Sequence, residues 1–129
     1  MKKLTIIALL LVLLTACTTN HPGDITIEMT DFAFTPNHYQ LTAGETVTLT
    51  IEHDGYVEHD LVIMKLGADV GAHFNADDLP NVLWQANVQP GDTQTVTFTV
   101  PSEPGTYQVV CGMAGHVEAG MIGELVVVE

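Results

Sequence analysis

The chain has 129 residues, 47% of them apolar, which is enough for one domain with a hydrophobic core. Lysine and arginine together number 3 against 16 Asp and Glu, and none of the three is arginine. Binding to nucleic acid or to an anionic membrane surface through charge is excluded.

Residues 1–16, "MKKLTIIALLLVLLTA", place two lysines before an apolar run from Leu4 to Leu14 and end in small residues. This is the layout of a secretory signal peptide, too short for a comfortable membrane-spanning helix. The run closes on "LLTAC", residues 13–17, which resembles the lipobox of bacterial lipoproteins. That resemblance implies cleavage before Cys17, a diacylglycerol on its sulfur and an acyl group on its new amino terminus. Residues 17–23 then form the lipidated cysteine and a tether, and residues 24–129 form the domain. An exported, lipid-anchored protein facing the periplasm or cell exterior is expected. Lysines 2 and 3 leave with the leader, so Lys65 alone faces the acidic side chains. That acidity suits either a basic partner protein or solubility in a saline medium.

Next come stretches that alternate with period two. "DITIEM" sets Ile25, Ile27 and Met29 on one face, and "ETVTLTIE" opposes Val47, Leu49 and Ile51 to Thr46, Thr48 and Thr50. "TQTVTFTV" repeats the pattern with Val96, Phe98 and Val100, and "GTYQVVC" with Tyr107, Val109 and Cys111. Strands with one buried and one wet face build antiparallel sheets. Turn signals at Thr35-Pro36-Asn37, Ala43-Gly44-Glu45, Asp54-Gly55, Gln89-Pro90-Gly91-Asp92 and residues 101–105 punctuate them. The prediction is an all-β sandwich of about seven short strands. Residues 66–87 lack the alternation and are read as an excursion, with a helical turn near Asn75–Leu79 ended by Pro80.

If Cys17 is lipidated, Cys111 has no disulfide partner, and a lone thiol in an oxidising compartment needs something to hold it. A metal is the obvious holder. "CGMAGHVEAGM" follows a strand and supplies Cys111, His116 and Met121 on a glycine-rich loop. Thiolate, imidazole and thioether together suit copper in both of its common oxidation states. The missing imidazole is assigned to His59, which opens the apolar strand "HDLVIM" after a turn, with His53 in reserve. Met121 is preferred over Met113 as the weak axial ligand, and Met113 is expected to pack within the loop. His21, His38 and His73 are read as ordinary histidines. Trp84, Phe74 and Tyr56 are read as core or loop packing.

The C-x4-H-x4-M spacing, the strand-opening histidine and "IEMTDFAFTPNHYQLTAGETVTLTIEHDG" together resemble the cupredoxins, the blue copper electron-transfer family, and most of all rusticyanin- and auracyanin-type members. The resemblance covers residues 24–129 apart from the excursion. It implies a Greek-key β-sandwich of seven to eight strands and one type 1 copper per chain, held by His59, Cys111, His116 and Met121. It also implies transfer of single electrons with no bond-breaking chemistry. Many cupredoxins carry asparagine after the first histidine and Ser or Thr after the cysteine. Here Asp60, which can accept a backbone N–H but cannot donate an amide hydrogen bond, and Gly112, which has no hydroxyl, occupy those positions beside the ligands, so the family's redox potential is not carried over. Electrons are expected to leave through His116, inside a low rim of Gly112, Met113, Ala114, Gly115, Ala119, Gly120 and Met121. The expected partners are a cytochrome or an oxidase, bound transiently by a monomer. The alternative is a periplasmic copper carrier or storage protein.

Overall fold

The computed structural model describes residues 23–129; the leader, Cys17 and the rest of the tether through residue 22 lie outside the described residues. Among the described residues, nine strands form two sheets: β1 (Ile25–Thr30), β2 (Ala33–Thr35), β3 (His38–Thr42), β4 (Thr46–His53), β5 (His59–Met64), β6 (Val82–Val88), β7 (Thr93–Thr99), β8 (Gly105–Val110) and β9 (Ile122–Val128). One sheet runs β2-β1-β4-β7 and the other β3-β9-β8-β5-β6. Most pairings are antiparallel, while β1 with β4 and β3 with β9 are parallel.

The period-two stretches behave as their alternation requires. Ile27, Met29, Val47, Leu49, Ile51, Phe98, Val109 and Leu125 fill one buried cluster between the sheets, with the threonines of β4 and β7 turned outward. Tyr107 adds a pin from within this core, donating its hydroxyl to the Glu103 carbonyl at 2.7 Å and fastening the turn before β8.

Strand β5 departs from alternation because both of its faces are covered, and all six of its residues are buried. Leu61 and Ile63 join the main core. Val62 and Met64 pack on the other side with Val70, Val110 and Val117, beneath Ala68 and Phe74. The segment read as an excursion thus folds back over the outer face of β5 and β8. It also holds a strand that the sequence reading missed. Val82–Val88 pairs with β5 along its length, with an irregularity between Ile63 and Met64. Its burial alternates, with Val82, Trp84, Ala86 and Val88 turned inward, but Val82 and Trp84 are only part-buried and the exposed Leu83 blurs the pattern at its start. The helical turn is a 3₁₀ helix, Ala76–Asn81, and Pro80 lies inside it rather than ending it. Asn75 caps its start: its side chain accepts from the Asp77 N–H, while the Asp78 carboxylate accepts from the Asn75 N–H.

Candidate metal centre

Strands β5 and β8 are antiparallel neighbours with Val62 opposite Val110. Carrying that register past the end of β8 sets Cys111 beside the opening of β5. His59 and Cys111 are both fully buried there, on the main-core side. His116 arrives from the loop that follows. The ligand-type atoms of His59, Cys111 and His116 all lie within 4.8 Å of one another. Cys111 Sγ is 3.3 Å from His116 Nδ1 and 3.9 Å from His59 Nδ1, and the two Nδ1 atoms are 3.0 Å apart. A first-row metal ion with bonds of ~2.0–2.3 Å to three coplanar donors sets those donors ~3.5–4 Å apart. At 3.0, 3.3 and 3.9 Å apart the three donors converge on one point and need open only slightly to seat one ion, and two imidazoles with a thiolate are the donor set of a copper site.

The loop is built to keep this shape. His116 N–H donates to Met113 O, Ala119 N–H to Gly115 O, Gly120 N–H to Val117 O and Met121 N–H to His116 O. Gly115 and Gly120 adopt φ of 85° and 95° with open space where a Cβ would stand, so conformation rather than room calls for glycine. Val117 anchors the loop in the outer cluster. Met121 is fully buried in the main core, and Cys111 N–H donates to its carbonyl at 3.2 Å. Met121 therefore cannot belong to the exposed rim, where the sequence reading had included it. Met113 is partly buried against the same core.

Asp60 projects to the opposite face of β5 and accepts a hydrogen bond from the Gly112 N–H, joining the two ligand-bearing segments. A Cβ on Gly112 would stand 3.1 Å from Asp60 Oδ2 and 3.3 Å from the Phe74 ring. Burial raises the Asp60 carboxyl above its ordinary range, opposed by that N–H. Burial also pushes the Cys111 thiol up to about 12, so a metal ion must displace a proton to bind it. Burial lowers His59 and favours a neutral ring, the form that can ligate, although Asp31 pulls the other way.

Two neighbours of the site escaped the sequence reading, and two were placed differently by it. Asp31 and Phe32 form the two-residue turn between β1 and β2, where Thr30 pairs with Ala33. Asp31 Oδ1 lies 3.2 Å from His59 Nε2 and accepts from the Tyr56 and Val57 N–H groups at 2.9 and 3.3 Å. Burial raises this carboxyl, but those two N–H groups and the His59 ring outweigh it and leave it below its usual value. Phe32 stands edge-on to His116 at 5.0 Å between ring centroids, with 40% of its surface exposed. It does so with φ of 72°, a backbone conformation uncommon for a bulky residue. The one signal for this pair was the shortness of the gap between two apolar strands, and Asp31 is a residue type that tight turns favour.

His53, the reserve ligand, is buried and stacks on His59 at 4.8 Å and 21°. Its Nδ1 accepts the Gly55 N–H, so the ring backs His59 rather than joining the three donors. Tyr56, read as packing, is 91% exposed, because the turn that carries it lies on the surface beside Asp31. Trp84 packs against the core edge-on to Phe98, and Phe74 lies in the outer cluster.

A cupredoxin-like domain family model matches residues 3–127. Auracyanin-A of Chloroflexus aurantiacus is 30% identical over 124 residues, covering 81% of this chain and 75% of that protein. Its solved structure, described as that of a "blue" copper protein, superposes with a TM-score of 0.62 at 28% identity, over 82% of this chain and all of that one. Dithionite-reduced auracyanin from Roseiflexus castenholzii gives a TM-score of 0.69 at 29% identity, over 82% and 97% of the two chains. The copper-resistant cuproprotein CopI of Rubrivivax gelatinosus is 27% identical, over 82% of this chain and 71% of that protein. With the sandwich, the buried thiol and the paired imidazoles in place, the chain belongs to the cupredoxin-like family.

Proposed function

We propose that this protein is an exported, lipid-anchored type 1 copper protein that passes single electrons between redox partners, with His59, Cys111 and His116 as the principal ligands and Met121 as the axial one. The observation that carries this reading is the convergence of two imidazole nitrogens and one thiol within 4.8 Å at a buried sheet end. Bound copper supplies the one-electron couple between Cu(I) and Cu(II).

The chain's own residues do the rest. His59 and Cys111 sit on neighbouring strands of a packed sandwich, so their separation is set by the sheet rather than by side-chain freedom. Ile51, Leu61 and Val109 shut water out from below. Met121 closes the core side of the cluster, and the Asp60 bond to Gly112 ties the loop to β5. A frame of this kind disfavours rearrangement between oxidation states. His116 is only partly buried and adjoins the exposed Ala114 and Gly115 and the Phe32 edge. A partner can approach the site closest through that imidazole. Small side chains there limit the contact area, as transient electron-transfer encounters require. Transfer rather than bond-breaking catalysis is the role, and a cytochrome or an oxidase is the class of partner. Export and the anchor on Cys17 rest on the leader and on "LLTAC".

Adding Cu(II) to the purified chain tests the reading. An intense visible thiolate-to-copper band is expected, bleached by reductant and absent in Cys111→Ser. The likeness to CopI gives a second reading, a copper carrier. A colourless protein that takes up Cu(I) only would establish the carrier and overturn the shuttle.

A further inference from the structure

The Asp31 carboxylate is the side chain outside the ligand set that meets the buried His59 ring through its second nitrogen, Nε2. That bond leaves Nδ1 facing Cys111 and His116. Asp31 is itself held: the Tyr56 and Val57 N–H groups converge on the same oxygen, Oδ1. The fit around it is close. A Cβ on Gly55 would overlap Asp31 Oδ1 and stand 3.1 Å from both the Asp31 backbone nitrogen and the His53 ring. His53 stacks on the far side of the His59 ring and limits its rotation. The carboxylate is therefore seated by two backbone N–H groups and a side-chain-free glycine beside the non-ligating nitrogen of His59, while the stacked His53 ring backs His59 itself.

We infer that Asp31 is a positioning residue for the metal centre, one that selects the Nε2–H form of His59 and places a negative charge behind it to favour Cu(II) over Cu(I). This rests on the copper reading above. Hydrogen bonding from a ligand imidazole to a carboxylate orients the ring and raises its basicity. A more basic ligand with a fixed negative charge behind it stabilises the more highly charged ion more strongly. Asp31 thus lowers the reduction potential of the site relative to the same site without it.

The tautomer is read in the metal-free chain by ¹⁵N NMR of the histidine rings, where His59 is expected to carry its proton on Nε2. A proton on Nδ1 instead would overturn the inference without any reference to copper. In the copper-loaded chain, Asp31→Asn keeps an oxygen for the two backbone donors and removes the charge. Cu(II) affinity is expected to fall about 10–100-fold. Cu(I) affinity should fall less, with the potential rising by about 59 mV for each tenfold difference. Asp24→Asn makes the same change in net charge just before β1, at its far end, where among the described residues Asp24 accepts from the Thr48 N–H, and should leave both affinities and the potential unchanged. If Asp31→Asn matches Asp24→Asn in potential and in Cu(II) affinity, the role of Asp31 falls. If the wild-type chain shows no thiolate–copper band, the electron-transfer reading falls instead.

Discussion

At the scale of single residues, Met121 separates a packing role from a ligating one. It is fully buried among apolar neighbours, so Met121→Leu is a near volume-conserving change expected to cost less than about 1.5 kcal/mol. If its sulfur also meets copper along the weak axial direction, the same variant will keep its melting temperature within a few degrees while shifting the visible spectrum and raising the potential. Thermal unfolding beside spectroelectrochemistry reads both, and an unchanged spectrum would reduce Met121 to core. The three donors that converge, His59, Cys111 and His116, were singled out in the sequence because they stand at strand ends or in one short loop. Asp31 and Phe32 were not, because their importance comes from a hairpin that folds back over a strand more than 25 residues further along. No local pattern records such a crossing.

Single elements show where alternation informs and where it fails. Strands β1, β4, β7 and β8 were readable because one face of each meets core and the other meets water or lesser packing. Strand β6 was hidden inside the stretch read as irregular, since its burial begins only at Ala86. The outer cover over β5 was hidden too, because burial on both faces leaves a continuous apolar run with no period. The turn before β8 permits a sharp test of local fastening. Tyr107→Phe removes the hydroxyl that reaches Glu103 O and nothing else, so it should cost about 1 kcal/mol in denaturant unfolding. The visible band should stay as it is, because the lost bond lies at the opposite end of β8 from Cys111.

For the molecule as a whole, charge is the dominant long-range property. Lys65 is the one basic side chain among the described residues apart from histidine, and its ammonium donates to the Pro80 carbonyl. The surface is otherwise acidic or neutral, so electrostatic steering acts in one direction. Electron exchange with a small cationic oxidant, followed by stopped flow, should slow as ionic strength rises, and exchange with an anionic one should accelerate. Rates indifferent to salt would mean that the end of the molecule around His116 is screened from the acidic sides.

The pairing of β5 with β8 also fixes when in the life of the chain a coloured site can exist. His59 and Cys111 are 52 positions apart in the chain, and they become neighbours only when β8 docks directly on β5, closing the long loop that holds β6 and β7. Closing so long a loop comes late and slowly in β-rich chains. Copper added during refolding should therefore stay colourless while backbone signals recover, and the visible band should rise with the last kinetic phase. Colour then serves as a clock for completion of the sandwich.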